Sequence, residues 1–419
     1  MPNRLLGLVG ILLILAVAYL FSRDRKAIRW RGVFFGLALQ AGFAIAILGI
    51  PAFEIPGVFR FVFVGLNLLV THLVDYINAG SRFIFGPLAE SKEPWGFVFA
   101  FRVLPSIIFF SGVMSALYYL GVLQKVVKAV AWVMQKTMRT SGAETLSGVG
   151  NIFMGQTEAP LMVKPFIPKM TPSEIYCVMV GGMSTLPAGV EIAYISMLRG
   201  RIADIAGHLL TASVMGAAGG LVISKMIFPE KDKPVTEGTL STGVEIKHDA
   251  NVLEALARGT SDGVGLALNV AAMLIVFISL IAVFDAFIGF VGQWLPLSEP
   301  LTFALILGKL LQPLAWLLGV PWQESAQVGR LLGEKVIMNE FVAYVHLTEI
   351  GKGLSDRTML IAAYALCGFA NLSSIGIQIG GIGAMAPNQR PMLAKLGLLA
   401  VLGGNLACFL SACIAGLIF

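Results

Sequence analysis

Long apolar runs, interrupted at intervals by short polar clusters, set the pattern of this chain. A helix crosses the hydrocarbon core of a bilayer with about 20 apolar residues. Leu5–Phe21, Gly32–Ile50, Trp95–Leu120 and Ile175–Leu198 fit that requirement. Ile202–Ile227, Gly263–Leu295, Ile361–Ala384 and Met392–Phe419 fit it as well. The expectation is an all-α polytopic membrane protein with about eight transmembrane helices. Residues 52–90 are apolar but interrupted by Pro, Gly, Asp75 and Arg82, which predicts interfacial or peripheral helices. Leu123–Arg139 carries Lys125, Lys128, Lys136 and Arg139, as a surface helix would. The long hydrophilic stretch Pro229–Asn251 reads as a loop between two halves.

Two segments do not fit as spans. In Ser147–Met170, Gly148, Gly150 and Gly155 precede a polar centre, Gln156-Thr157-Glu158, and Pro160, Pro165 and Pro168 follow it. Each arm has about 12 residues and would rise about 18 Å as a helix, which is half a bilayer. Two such arms predict a re-entrant hairpin over 143–170, an element tolerated only where protein or water surrounds it. A second hairpin is predicted over 300–349, with Leu301–Leu318 as an apolar arm and Asn339-Glu340 as the polar centre of Gln323–Leu347.

Each hairpin is followed by a span with a polar, glycine-bearing interruption. These are Gly181–Glu191 in the broken helix 175–198 and Cys367–Gly376 in the broken helix 357–384. Ser, Thr and Pro unwind a span and free backbone carbonyls, as in the discontinuous helices of secondary transporters. The order of hairpin, broken span and span occurs twice, and an odd number of crossings between the copies would make them inverted repeats. The organisation expected is N-terminal helices and an interfacial segment (1–94), a first half (95–227), a cytoplasmic loop (228–251), a long scaffold helix (252–295) and a second half (296–419).

Composition and charge narrow the class. Hydrophobic residues are 57% and charged residues 13% of 419, and the mean hydropathy is +0.83. Too few charges remain to coat a soluble surface of this size. The net charge of +6 needs no nucleic-acid partner, because cytoplasmic loops carry an excess of Lys and Arg. Arg23, Arg25, Lys26, Arg29 and Arg31 follow the first span, which reads as an uncleaved helix with its N-terminus outside. An even number of spans then puts both termini outside. The cysteines form no CxxC pair, the histidines no HExxH and no GxSxG occurs, so neither a resident metal nor an enzyme is expected.

Chemistry concentrates at the interruptions. A carboxylate at membrane depth costs at least ~2.5–3.5 kcal/mol, so Glu158 and Glu340 mark a functional site. The competing reading for Glu340 is a packing pair with Lys335 or Arg330. Ionised carboxylates only accept hydrogen bonds, whereas Gln, Asn and hydroxyls also donate. No convergent Arg/Lys pair is available to hold a phosphate. An elevator-type carrier of another small polar solute, such as an amino acid or dicarboxylate, would call for a cation at the midplane, and the tips offer none.

The segments GQTEAPLMVKPF (Gly155–Phe166), GEKVIMNEFVAY (Gly333–Tyr344) and CGFANLSSIGIQIGG (Cys367–Gly381) resemble the concentrative nucleoside transporter family, in the family's order. The resemblance runs from about Trp95 to the C-terminus, and the short N-terminus is similar to that of bacterial members. It implies a homotrimer in the inner membrane that imports nucleosides such as uridine by alternating access of a mobile transport region. The coupling ion implied is sodium, replaced by protons in some members, and no other cofactor is implied. Gln156, Thr157 and Glu158 match the residues that read the base. Glu340, Asn371 and Ser374 match those that hold the ribose, and Phe369 an aromatic beside the sugar. Asn151, Met154, Ser184 and Thr185 occupy the positions of a sodium site. Pro187-Ala188-Gly189-Val190-Glu191 departs from the family pattern, so no base contact is carried over there.

Overall fold

The structure, a computed structural model, describes residues 2–49, 55–89, 98–239, 249–294 and 301–419. Its regular structure among these is helical apart from isolated bridges. The N-terminal helices are α1 (Pro2–Leu20), α2 (Trp30–Leu48) and α3 (Arg60–Phe85). After them come α4 (Phe99–Arg102), α5 (Leu104–Tyr119) and α6 (Val122–Met138). The first polar region holds α7 (Gly142–Gly150), α8 (Pro172–Met183) and α9 (Ala188–Leu198), and α10 (Ile205–Ile227) closes that half. The second half contains α11 (Val252–Gly292), α12 (Phe303–Leu317), α13 (Trp322–Ile337) and α14 (Glu340–Ile350). It ends with α15 (Asp356–Leu366), α16 (Leu372–Met385) and α17 (Arg390–Ile418).

Local chemistry sets the ends that matter. α7 and α8 open with capping boxes, Ser141 with Glu144 and Thr171 with Glu174, each satisfying otherwise orphaned amides. Asn339 caps α14, Ser355 caps α15 and Asn371 caps α16, each through a side-chain oxygen that accepts a backbone N–H. α8 stops where Ser184 and Thr185 turn their hydroxyls back onto the Gly181 carbonyl, at 3.3 and 3.0 Å. Pro187, which lacks an N–H, then precedes α9. α15 ends at Leu366, and Gly368 follows its cap with a φ of +153° that an L side chain rarely adopts.

Among the described residues, four helical segments are long and apolar enough to cross a bilayer: Trp30–Leu48, Pro172–Leu198, Ile205–Ile227 and Pro387–Ile418. Two further pairs pass together but are sharply bent, α5 with α6 at 78° and α12 with α13 at 115°. Burial separates wall from core: the α2 window is 22% buried and the α10 window 89%. α10 and α17 form the centre, and α8 and α15 pack against both. α11 lies along α5 and leaves Ile275, Val276, Val283, Phe287 and Phe290 uncovered.

Three expectations are corrected or refined. Residues 60–85, expected as interrupted interfacial pieces, form the continuous helix α3. Gly65 and Gly80 stand there in open space, and Asp75 pairs with Arg199 at 2.8 Å. In the first hairpin segment only α7 is an α-helix. The return arm is two short 3₁₀ turns, Ala159–Val163 and Ile167–Lys169, because Pro160, Pro165 and Pro168 remove the donors that a second helix requires. In the second segment the 115° turn lies at 318–321, and Asn339-Glu340 forms a separate junction between α13 and α14. The expected ends of the Pro229–Asn251 loop are described, but residues 240–248 within it are outside the described residues, as are Ile50, Trp95 and Leu295 at expected helix ends.

Candidate functional site

The two helix breaks meet at the centre of the molecule. A Cβ on Gly368 would lie 2.7 Å from the Met183 carbonyl oxygen and 2.6 Å from Cys408 Sγ. On α17, a Cβ on Gly404 would sit 2.7 Å from Met183 Cβ and 3.0 Å from Ala370 Cβ. Gly216 and Gly220 of α10 approach Ser184 so closely that a Cβ on either would collide with it. Small residues thus let two unwound segments cross between two core helices, the way glycines allow close backbone approach inside membranes. Asn405 of α17 donates to the Ala370 carbonyl at 2.8 Å and ties down one of the freed acceptors.

Beside this crossing lies a cavity of about 500 Å³, a volume in the range of small-molecule sites. Gln156, Thr157, Glu158, Glu340, Phe369, Asn371 and Ser374 all line it. The seven positions span more than 200 residues of chain, so the fold brings together what the sequence scatters. The opposite wall comes from α5 and α11, through Ser111, Ser115, Arg258, Asp262 and Asn269.

Two hydrogen-bonded clusters face the cavity. In the first, Gln156 Nε2 donates to Ser374 Oγ at 3.1 Å, and Gln378 Nε2 donates to Gln156 Oε1 at 3.0 Å. Thr157 sits against Gly381 of α16, where a Cβ would overlap its methyl group. Glu158 is exposed to the cavity and folds back over Gly155. In the second, Asn371 Nδ2 donates to Glu340 Oε2 at 2.9 Å and Tyr194 Oη donates to Glu340 Oε1 at 3.1 Å. Asn371 Oδ1 accepts from Ser373 Oγ at 2.7 Å and from the Ser374 amide at 2.9 Å. Ser374 therefore joins the two clusters.

Glu340 is not held by the basic residues near it in sequence. Arg330 bonds Glu334 at 2.7 Å, and His346 Nδ1 lies 2.8 Å from the same carboxylate. Lys335 donates to the Ala365 carbonyl at 2.8 Å and stands 5.9 Å from the centre of the Phe409 ring. The partners that Glu340 does have are a phenol and an amide. Glu340 thus lines the cavity with one neutral donor on each carboxylate oxygen.

Asn151 and Met154 follow α7, and Ser184 and Thr185 form the α8 break. The two elements touch, since a Cβ on Gly181 would lie 3.2 Å from Gly148 Cα and 3.8 Å from Asn151 Nδ2. Asn151 Nδ2 donates to the Ser147 carbonyl at 2.8 Å, while Asn151 Oδ1 and Ser147 Oγ are buried without a hydrogen-bond partner. Unpartnered amide and hydroxyl oxygens are the donor type that a hard cation takes. Ser147 was not among the sequence candidates; its place one helical turn before Asn151 was the available signal.

Sequence reasoning missed other lining residues. Tyr194, Pro187, Gly189 and Val190 reach the cavity from α9 and its cap. Glu191 turns the other way, is buried and accepts from Ser213 Oγ at 3.2 Å. Arg258 is the one Lys or Arg among the described lining residues. It is already engaged, by Asp249 at 2.9 Å, Asp262 at 3.5 Å and Ser115 at 3.1 Å.

Apolar crossing helices and two touching breaks beside a cavity with polar side chains at its wall define a membrane transporter. The chain belongs to the Na+ dependent nucleoside transporter family. The family's N-terminus matches residues 9–88 and its C-terminus residues 208–416, and a nucleoside recognition gate matches residues 100–201. The family is one of cotransporters, not enzymes. An uncharacterized transporter of Haemophilus influenzae is 42% identical over 417 residues, covering 98% of this chain and 97% of that protein. Sodium/nucleoside cotransporter 1 of Oryctolagus cuniculus is 36% identical over 433 residues, covering all of this chain but 63% of that longer protein. Among solved structures, CNTnw in an inward-facing substrate-bound state is 40% identical, with a TM-score of 0.90 over 99% of this chain and 98% of that one.

Proposed function

We infer that this chain is a sodium-coupled importer of nucleosides such as uridine. The observation that carries the reading is the joined pair of clusters in one cavity, Gln156 with Ser374 and Glu340 with Asn371. One end offers amide and hydroxyl groups suited to a base edge. The other offers a carboxylate and an amide suited to the hydroxyls of a ribose, with Phe369 at the wall. In this reading Gln156, Thr157 and Glu158 take the base and Glu340, Asn371, Ser374 and Phe369 the sugar. Sodium is a co-transported substrate held by Asn151, Met154, Ser184 and Thr185, and the orphaned Asn151 oxygen supports that assignment. A cation beside Glu158 and Glu340 would offset the repulsion and desolvation of the two carboxylates, which is a physical route to coupling.

The cavity lies between the α5–α11 pair and the clustered tips and breaks. That placement supports a fixed scaffold and a mobile transport region that alternates between the two sides. The uncovered apolar side of α11 fits a homotrimer in the inner membrane, and the basic loop at Arg23–Arg31 fits about eight spans with both termini outside. The rival cargo, an amino acid or dicarboxylate, would need a free cation, and Arg258 is occupied by two carboxylates.

Uptake of labelled uridine into proteoliposomes tests the reading. Accumulation should require an inward sodium gradient and fail with potassium. Uptake driven only by a proton gradient would move the ion assignment, and no uridine accumulation under any gradient would end the nucleoside reading.

A further inference from the structure

Gln378 lies on α16, fully buried, and was read from sequence only as part of a family segment. Its surroundings decide which way two amides point. Gln378 is 3.0 Å from the Met179 backbone carbonyl, an atom that can only accept. The Gln378 atom at that position must therefore be Nε2, because Oε1 there would set two acceptors against each other. The same Nε2 lies 3.0 Å from the Gln156 amide. That end of Gln156 must be Oε1, so its Nε2 is turned to the other side, 3.1 Å from Ser374 Oγ. The orientation follows from one backbone carbonyl rather than from a choice between equivalent amide placements.

The packing around the pair has the same sense. Gly182 stands where the amides meet, and a Cβ on it would lie 2.8 Å from Gln156 Cβ and 2.9 Å from Gln378 Nε2. Gln378 Oε1 is buried without a partner. An unsatisfied buried acceptor is costly, and this one persists while its own nitrogen is committed to Met179 and Gln156. One turn further along α16, Gly381 seats Thr157, so the whole first tip rests on the Gln378 face.

We propose that Gln378 is a positioning residue that fixes the Gln156 amide so that its N–H, rather than its carbonyl, serves the cavity side of the first tip. This rests on the nucleoside reading and narrows it: Gln156 meets a carbonyl oxygen or an unprotonated ring nitrogen of the base, which leaves a base N–H to the acceptor Glu158. Gln378 itself does not touch the cargo.

The test is uridine binding to the purified full chain in wild type, Gln378→Leu, Gln156→Ala and the double variant, a cycle that isolates the coupling. Gln378→Leu should weaken uridine about three- to tenfold, the worth of one neutral hydrogen bond. In the Gln156→Ala background the same change should cost nothing further. Additive losses would overturn the proposal and leave the nucleoside reading standing. If Gln378→Leu does not fold, Gly182→Ala crowds the same two amides and should show the same dependence on Gln156; independence would count against the proposal equally. No uridine binding by the wild type would instead overturn the reading and this proposal together.

Discussion

The two polar tips of the cavity solve one problem differently. At the first, the Gln156 amide is engaged by neutral groups from a distant helix: Gln378 bonds Gln156, and Gln156 bonds Ser374. The second centres on a charge-bearing side chain, Glu340, shared between Tyr194 and Asn371. Neutral bonds are worth about 0.5–1.5 kcal/mol each, and bonds to charged groups about 1.5–3 kcal/mol. On the nucleoside reading proposed above, the larger loss of affinity is therefore expected at Glu340 and the smaller at Gln156.

The sharpest way to break that contrast is Glu340→Gln. The substitution keeps size and removes charge-assisted acceptance, so uridine affinity should fall by about 1.5–3 kcal/mol per lost bond. Melting temperature in detergent should fall far less. Unchanged affinity in a titration of the purified protein would show that Glu340 is not a ribose ligand.

A smaller effect is expected on the ion side of the first tip. Asn151→Ala and Ser184→Ala should each raise the sodium concentration for half-maximal uridine uptake several-fold, while uptake at saturating sodium recovers. Asn151 contributes the orphaned oxygen and Ser184 the hydroxyl at the break. Wild-type uptake indifferent to sodium would reject the ion site outright.

The mildest change sharpens the comparison rather than breaking it. Tyr194→Phe deletes the single phenol bond to Glu340 and leaves Asn371 in place. Uridine affinity should drop about tenfold or less, with sodium dependence untouched. A shift in sodium dependence of the same size would mean that the two ends of the site are not separable.

Much of this molecule was legible along the chain. Apolar runs mark helices because backbone groups in hydrocarbon must be satisfied within their own segment. Gly, Ser, Pro and Asn mark the breaks because each disturbs that internal satisfaction locally. The Ser184-Thr185 back-bonding, the Asn371 cap and the Gly368 backbone are all near-neighbour effects. Local periodicity failed where tertiary contacts override it. Asp75 resembled an interruption because its partner, Arg199, lies on a different element. The prolines after Glu158 are plain in the sequence, and the 3₁₀ turns that stand in place of a helical arm follow from the N–H groups they lack.

The pairing of the site lies beyond sequence order. Gln156 with Gln378, Tyr194 with Glu340 and Asn371 with Glu340 are meetings between different elements of the chain. A residue type states what a side chain can donate or accept. Which atom it faces depends on how close two backbones come, and here Gly182, Gly216, Gly220, Gly368 and Gly404 set those distances by leaving space. Close packing then selects one arrangement of donors and acceptors out of the many that the same residues could form.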